Sequence, residues 1–433
     1  MRAMQDSSIP WLGSVPSDWK RGKLKQYIFE ISEKNSPVKT TDILSLTNKL
    51  GVVPYEEKGN QGNTAKEKYD EYKLAYPDTI VVNSMNILIG SVGYCSYFGC
   101  VSPVYYVFNN LKNGNLKYIN YIFQTTEFQK CLRQFSNGIL EIRQRVSAKT
   151  ILNQDFFFPN LDEQNAIVEY LDTKCDQIDT IIAKEESVIE KLQEYKRAII
   201  TNAVVKGLDV TAETADSGIE WIDSIPSHWK IKRLIFSAYI RARLGWKGLK
   251  ADEYTSEGHP FLSAVNIQND KLVWEDLNFI NDDRYDESPE IKLELGDLLL
   301  VKDGAGIGKC AVVDQLPYGT ATTNSSLGVI TPYPELNSMY LYYFFESAIF
   351  QNYISRIKNG MGVPHLTQGN LKNIMVVIPP YCEQEAIVAY LDEKCANLDS
   401  LIVKKQSLID KLSEYKQSLI YEVVTGKKEV PHA

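Results

Sequence analysis

Two spacings of apolar residues alternate along this 433-residue chain, and each change of spacing marks a boundary. Short apolar runs at 79–82, 298–301 and 375–378, separated by turns rich in Gly and Asn, predict buried β-strands. A helical pattern is predicted over 115–134, with a counterpart over 337–357. From Leu161 the spacing becomes a heptad: Leu171, Ile178, Leu192 and Ile199 form one row, and Cys175, Ile182, Ile189 and Ala203 its companion. Leu391, Leu398, Leu412 and Leu419, with Cys395, Ile402, Ile409 and Val423, repeat the pattern. Pro159 and Pro379-Pro380 end the strands before these helices, and Gly207 and Gly426 stand where a helix C-cap is expected. Each helix should run about 60 Å.

The chain repeats itself. Ile9-Pro-Trp-Leu-Gly-Ser-Val-Pro-Ser-Asp-Trp-Lys20 returns as Ile219-Glu-Trp-Ile-Asp-Ser-Ile-Pro-Ser-His-Trp-Lys230, and Glu163-Gln164 returns as Glu383-Gln384. Between 163–200 and 383–420, 21 of 38 positions are identical, whereas the regions between the shared blocks diverge. The plan is a Trp-containing lead-in, a globular region and a long helix, executed twice. Parts are expected at 1–160, 161–207, 208–380 and 381–433.

Two apolar seams need partners, and each helix is the obvious partner of the other. Pseudo-two-fold, antiparallel pairing satisfies both. Glu185 and Lys405 interrupt the seams at the same heptad place and are expected to face one another and fix register.

Composition changes little until it is resolved along the chain. Net charge is −8, yet residues 1–160 carry +5 and residues 161–212 carry −5. Residues 213–380 and 381–433 carry −6 and −2, but 224–251 hold seven Lys or Arg and no acid. Phosphate binding needs a local positive face, not a positive total. Seven scattered cysteines without a C-x-x-C pair, and four histidines without ligand spacing, argue against a metal site and suit a reducing cytoplasm. No run of about 18 apolar residues occurs, so neither secretion nor membrane insertion is expected.

The paired Ile-x-Trp-x-x-Ser-x-Pro-Ser-x-Trp-Lys lead-ins carry a resemblance, with Pro159-x-x-x-Glu163-Gln164-x-x-Ile167-x-x-Tyr170-Leu171-Asp172 and its copy from Pro379 to Asp392. The arrangement resembles the specificity subunits of type I restriction-modification systems over essentially the whole chain. The resemblance implies an α+β architecture: two α/β target-recognition domains separated by a pair of long antiparallel coiled-coil helices. It implies that each domain reads one half of a split, asymmetric target in double-stranded DNA. The helices would dock two modification subunits, adenine-N6 methyltransferases using S-adenosylmethionine, and two restriction subunits would be able to join. The chain itself would be non-catalytic, with no cofactor. Alternatives are a subunit serving methylation only or another phage-defence complex, and a coiled-coil adaptor for proteins.

Competing chemistry is weaker. Asp303-Gly-Ala-Gly-Ile-Gly-Lys309 is one residue short of a nucleotide-binding loop, and Cys310 replaces the hydroxyl that would reach magnesium. No Asn/Asp-Pro-Pro-aromatic segment is present to hold a target adenine. Base edges are read by Arg, Lys, Asn and Gln, and phosphates by Lys and Arg. In the second domain the DNA-binding candidates are Arg241, Arg243, Lys247, Lys250, Asn266, Gln268, Asn324, Ser325, His365 and Gln368. In the first they are Asn83, Ser84, Asn86, Arg133, Asn137, Arg143, Gln144 and Arg145. Trp11, Trp19, Trp221 and Trp229 are expected to anchor the lead-ins.

Overall fold

Strands that are apolar at every position need cover on both faces. A computed structural model describes residues 2–47, 50–59, 68–111, 114–136, 145–242, 249, 253–304, 306–359 and 365–431, and it shows that cover in two units. The first unit comprises Met1–Glu186 with Gln406–Ala433, the second Ser187–Lys405. Each unit therefore takes half of each long helix, where the sequence boundaries had set the helices apart. The seam residues explain the difference: they bury against the neighbouring globular core, not only against each other.

The first unit is built on an antiparallel sheet in the order Ile28–Ile31, Tyr105–Asn110, Thr79–Asn83, Val92–Cys95. Alternate residues separate its two cores. Ile80, Val82 and Phe108 face the helices, while Val81, Val107 and Cys95 join Leu44, Leu46 and Val101 beneath the opposite face. The second unit has the same order: Ala238–Arg241, Leu327–Pro332, Leu298–Val301, Cys310–Val312. Leu298, Leu300 and Ile330 face its helices, and Leu299, Val301 and Val329 the other layer. Gly304 and Gly308, both at positive φ, lie in the turn between Leu298–Val301 and Cys310–Val312. The short glycine loop is a hairpin connection.

Each continuous helix expected after the sheet is two. Leu116–Gln124 and Thr126–Arg133 are divided at Thr125, and Ser338–Glu346 and Ala348–Asn359 at Ser347, both with extended backbone. The dividing hydroxyl bonds back to the carbonyl three residues earlier, Thr125 to Ile122 (2.7 Å) and Ser347 to Phe344 (2.6 Å). That local bond competes with the helical ladder.

The long helices span Leu161–Lys206 and Tyr381–Val424. Gly207 (φ +73°) and Gly426 (φ +71°) adopt the left-handed conformation that ends them. Within the first unit, Ile167, Leu171, Cys175 and Ile178 of the first helix share a core with Leu419, Ile420 and Val423 of the second. Asp179 pairs with Lys416 at 2.6 Å. Within the second unit, Ile200, Ala203 and Val204 share a core with Ile387, Leu391 and Cys395, and Lys196 pairs with Asp399 at 2.8 Å. The start of one helix meets the end of the other in both units, so the packing is antiparallel. The two ion pairs are repeat equivalents with roles exchanged.

Candidate nucleic-acid interface

The repeated motif residues are internal pins. Trp19 Nε1 donates to both carboxylate oxygens of Glu163 (3.2 Å), and Trp229 Nε1 donates to Glu383 (2.9 Å). The same indoles cover the end of the opposite helix: a Cβ on Gly426 would lie 3.0 Å from Trp19, and one on Gly207 would lie 2.9 Å from Trp229. Gln164 and Gln384 accept from the backbone N–H of Asn115 and Asn337, the residues that cap the next helix (2.9 and 2.8 Å). Buried Tyr118 and Tyr340 donate to the Val424 and Val204 carbonyls near the helix ends (2.8 and 2.9 Å). Lead-in, helix start and helix end are thus one knot, tied in each unit by equivalent residues.

What that frame carries differs between units. In the second unit a continuous polar edge runs from the Ser263–Asn266 turn to the start of the short helix Gln368–Lys372. Ser326 Oγ accepts from Ala264 N (3.3 Å), its carbonyl accepts from Lys302 N (2.9 Å), and the Lys302 carbonyl accepts from Leu366 N (2.8 Å). His365 bonds Asp303 through Nδ1. The structure therefore brings Asn266, Asn324, Ser325, His365 and Gln368 into one neighbourhood, with Gln268 beside the turn.

Their side chains do not all face outward. Asn266 is buried, and its Oδ1 accepts from Ser263 N (2.9 Å); Asn324 Oδ1 accepts from Ser326 N (2.9 Å). Both amides shape turns. Gln268, Ser325 and His365 are exposed, and Gln368 is half-buried.

In the first unit the matching place joins Ser84 to the segment before Ala148–Leu152, through Val146 N to the Ser84 carbonyl (3.2 Å). Asn83 is buried and accepts from Met85 N (3.1 Å), whereas Asn86, Arg133 and Arg145 are exposed. Asn137, Arg143, Gln144, Arg243, Lys247 and Lys250 lie outside the described residues.

Arg241 needs correction as a phosphate contact. Its side chain is 9% exposed and its guanidinium donates to Asp297, which is wholly buried, at 2.5 Å. The Lys292 carbonyl takes a second bond (3.3 Å). Arg241 holds the edge strand to the sheet.

Sequence reading missed two features. Lys302 lies in the polar edge but follows an apolar run that reads only as a strand. A second heptad row, Ile181, Val188 and Tyr195, lies one residue off the seam and recurs as Leu401, Leu408 and Tyr415. All six are 37% to 58% exposed. The spacing was legible, but only burial shows that this row faces outward.

One ionisable group is out of place. Glu346 lines a cavity of about 370 Å³ with Lys196, Asp270, Tyr342, Tyr343, Asp392 and Asp399. Burial, followed by the charge of Asp270, pushes its pKa up to about 7, opposed by a hydrogen bond from the Cys310 thiol and by Lys196 and Arg197. Among the described residues no cluster of His, Cys, Asp or Glu could hold a metal ion, and no helix is long and apolar enough to cross a membrane.

Comparison with known proteins matches residues 16–191 and 245–409 to the type I restriction modification DNA specificity domain. The chain is similar to the type I restriction enzyme MjaVIII specificity subunit of Methanocaldococcus jannaschii, 24% identical over 66% of this chain and 64% of that protein. It is similar to the EcoKI specificity subunit of Escherichia coli K12, 26% identical over 47% of this chain and 44% of that protein. The match thus spans less than two thirds of either relative. A solved chain from work on complex assembly and conformational transition of the type I R-M system superposes with a TM-score of 0.71 at 14% identity, covering 96% of this chain and 99% of that one. The HsdS subunit from Thermoanaerobacter tengcongensis gives 0.50 at 14% identity, over 96% and 98% of the two chains. At such identity the likeness is one of fold.

Proposed function

Because this chain belongs to the family of type I restriction modification DNA specificity domains, we propose that it reads a bipartite, asymmetric target in double-stranded DNA, one half-site per unit. The observation that carries this reading is the contrast between frame and edge. The Trp–Glu pins and the Gln caps are duplicated by equivalent residues, while the polar edges differ. A duplicated frame with unlike readers is what places two identical partners over two different half-sites.

The partners would be two modification subunits, adenine-N6 methyltransferases that bring S-adenosylmethionine, with two restriction subunits able to join. The exposed rows Ile181, Val188, Tyr195 and Leu401, Leu408, Tyr415 support docking on the long helices. Uncovered, they would leave water against apolar side chains at helical spacing. The chain supplies recognition and no chemistry of its own, and works where DNA is reached, in the cytoplasm. Of the predicted DNA contacts, Gln268, Ser325, His365 and Gln368 in the second unit, and Asn86, Arg133 and Arg145 in the first, remain the candidates among the described residues. Mapping the bases methylated by this chain with its modification subunit tests the reading.

Glu185 and Lys405 are proposed to set helix register, a reading supported by the antiparallel packing inside each unit and by their half-buried seam positions. Either Glu185→Lys or Lys405→Glu should lower the melting temperature, and the double exchange should recover most of the loss. Additive losses would contradict the coupling.

A further inference from the structure

An ordinary surface turn keeps its polar residue outside and its apolar residue within. The Ser263–Asn266 turn reverses this: Asn266 is 7% exposed and Val265 is 74% exposed. The turn is also held firmly. Ser263 N and Oγ donate to Asn266 Oδ1 (2.9 and 3.2 Å), and Asn266 N donates to the Ser263 carbonyl (3.0 Å). Gln268 Nε2 donates to the carbonyl of Val265 itself (3.1 Å), and Val273 N to the Asn266 carbonyl (2.9 Å). A β-branched residue has restricted χ1, so Val265 offers its methyl groups from few orientations.

Nothing in the fold requires an apolar group there. Val265 belongs to neither core of its unit; exposed Gln268 bonds its carbonyl, and the adjoining Ala264 N donates to Ser326 Oγ, next in sequence to exposed Ser325. In the major groove, one base feature is recognised by an apolar side chain among polar ones. That feature is the C5-methyl group of thymine; the adenine of the same pair offers N6 and N7 to an amide such as Gln268. Resting on the DNA-reading assignment, we propose that Val265 is a specificity-determining residue that contacts a thymine methyl in the half-site read by the second unit.

The test uses the complex of this chain with its modification subunit and the duplex defined by methylation mapping. Each thymine is replaced in turn by deoxyuridine, which removes only the methyl. One replacement, in one half-site, should weaken binding about fourfold, the value of one buried methyl. In Val265→Ala the same replacement should have no effect, while binding to the other half-site is unchanged. Val265→Thr, which keeps the β-branch and so the turn, should retain sensitivity. Uniform indifference to deoxyuridine, or sensitivity that survives Val265→Ala, would overturn the assignment. These outcomes can occur while sequence-specific methylation persists, so they are distinct from failure of DNA reading, in which no specific methylation is seen. A fall in methyltransferase co-purification with Val265→Ala, at unchanged deoxyuridine response, would assign the residue to a protein contact and also overturn it.

Discussion

Replacing Arg241 with Ala should destabilise the second unit by about 3–5 kcal/mol, seen as a large fall in its denaturation midpoint. The cause is the carboxylate left behind. Asp297 is wholly buried, and besides Arg241 it accepts from Thr331 (2.5 Å) and from Glu294 N (2.8 Å). Removing the guanidinium leaves a buried charge with dipoles but no counter-ion. Asp297→Ala should cost a similar amount for the reverse reason. The double variant Arg241→Met with Asp297→Leu should recover much of the loss, since well-packed apolar residues often replace a buried ion pair at little cost. A phosphate-contacting Arg241 would behave otherwise: its Ala variant would melt normally and bind DNA weakly. Melting curves and DNA binding on the same sample separate the two roles.

Glu346→Gln should stabilise the protein at pH 8 by up to about 3 kcal/mol and leave it nearly unchanged at pH 4. The folded protein holds the Glu346 proton up to about pH 7, whereas the unfolded chain releases it near the ordinary carboxylate value of 4.5. A group whose folded pKa is raised in this way favours folding while protonated. That contribution fades between about pH 4.5 and pH 7, and above pH 7 the buried charge costs its full amount. The facing groups act in both directions. Asp270 raises the pKa, and Lys196, Arg197 and the Cys310 thiol lower it. Gln124 closes the equivalent helix of the first unit, so the substitution installs what the other copy already carries. Chemical denaturation at a series of pH values gives the difference directly. A variant whose stability follows the same pH curve as the parent would contradict the assignment.

The long helices were legible because heptad spacing and the near-duplicate of 163–200 leave little else to form. The sheets were legible as apolar runs, though not their order, since strand pairing joins residues far apart in sequence. The break at Thr125 and Ser347 was hidden because the competing bond comes from one hydroxyl, while the apolar pattern continues through it. Arg241 looked like a DNA contact within an acid-free basic stretch; its partner Asp297 lies 56 residues away and had no local signal. Asn266 and Asn324 illustrate the same limit. A sequence reports that an amide is present in a turn, not that the turn has already used it. Val265 carries no local signal, because an isolated apolar residue in a polar turn is ordinary until its exposure is known.

The most direct trial of two unlike readers on one repeated frame is single-base mapping of adenine methylation by this chain together with its modification subunit. The expected result is a split motif whose two halves differ in sequence, and substitution of Gln268, Ser325 and Gln368 should relax one half only. A palindromic motif, a single uninterrupted motif, or equal relaxation of both halves would contradict it.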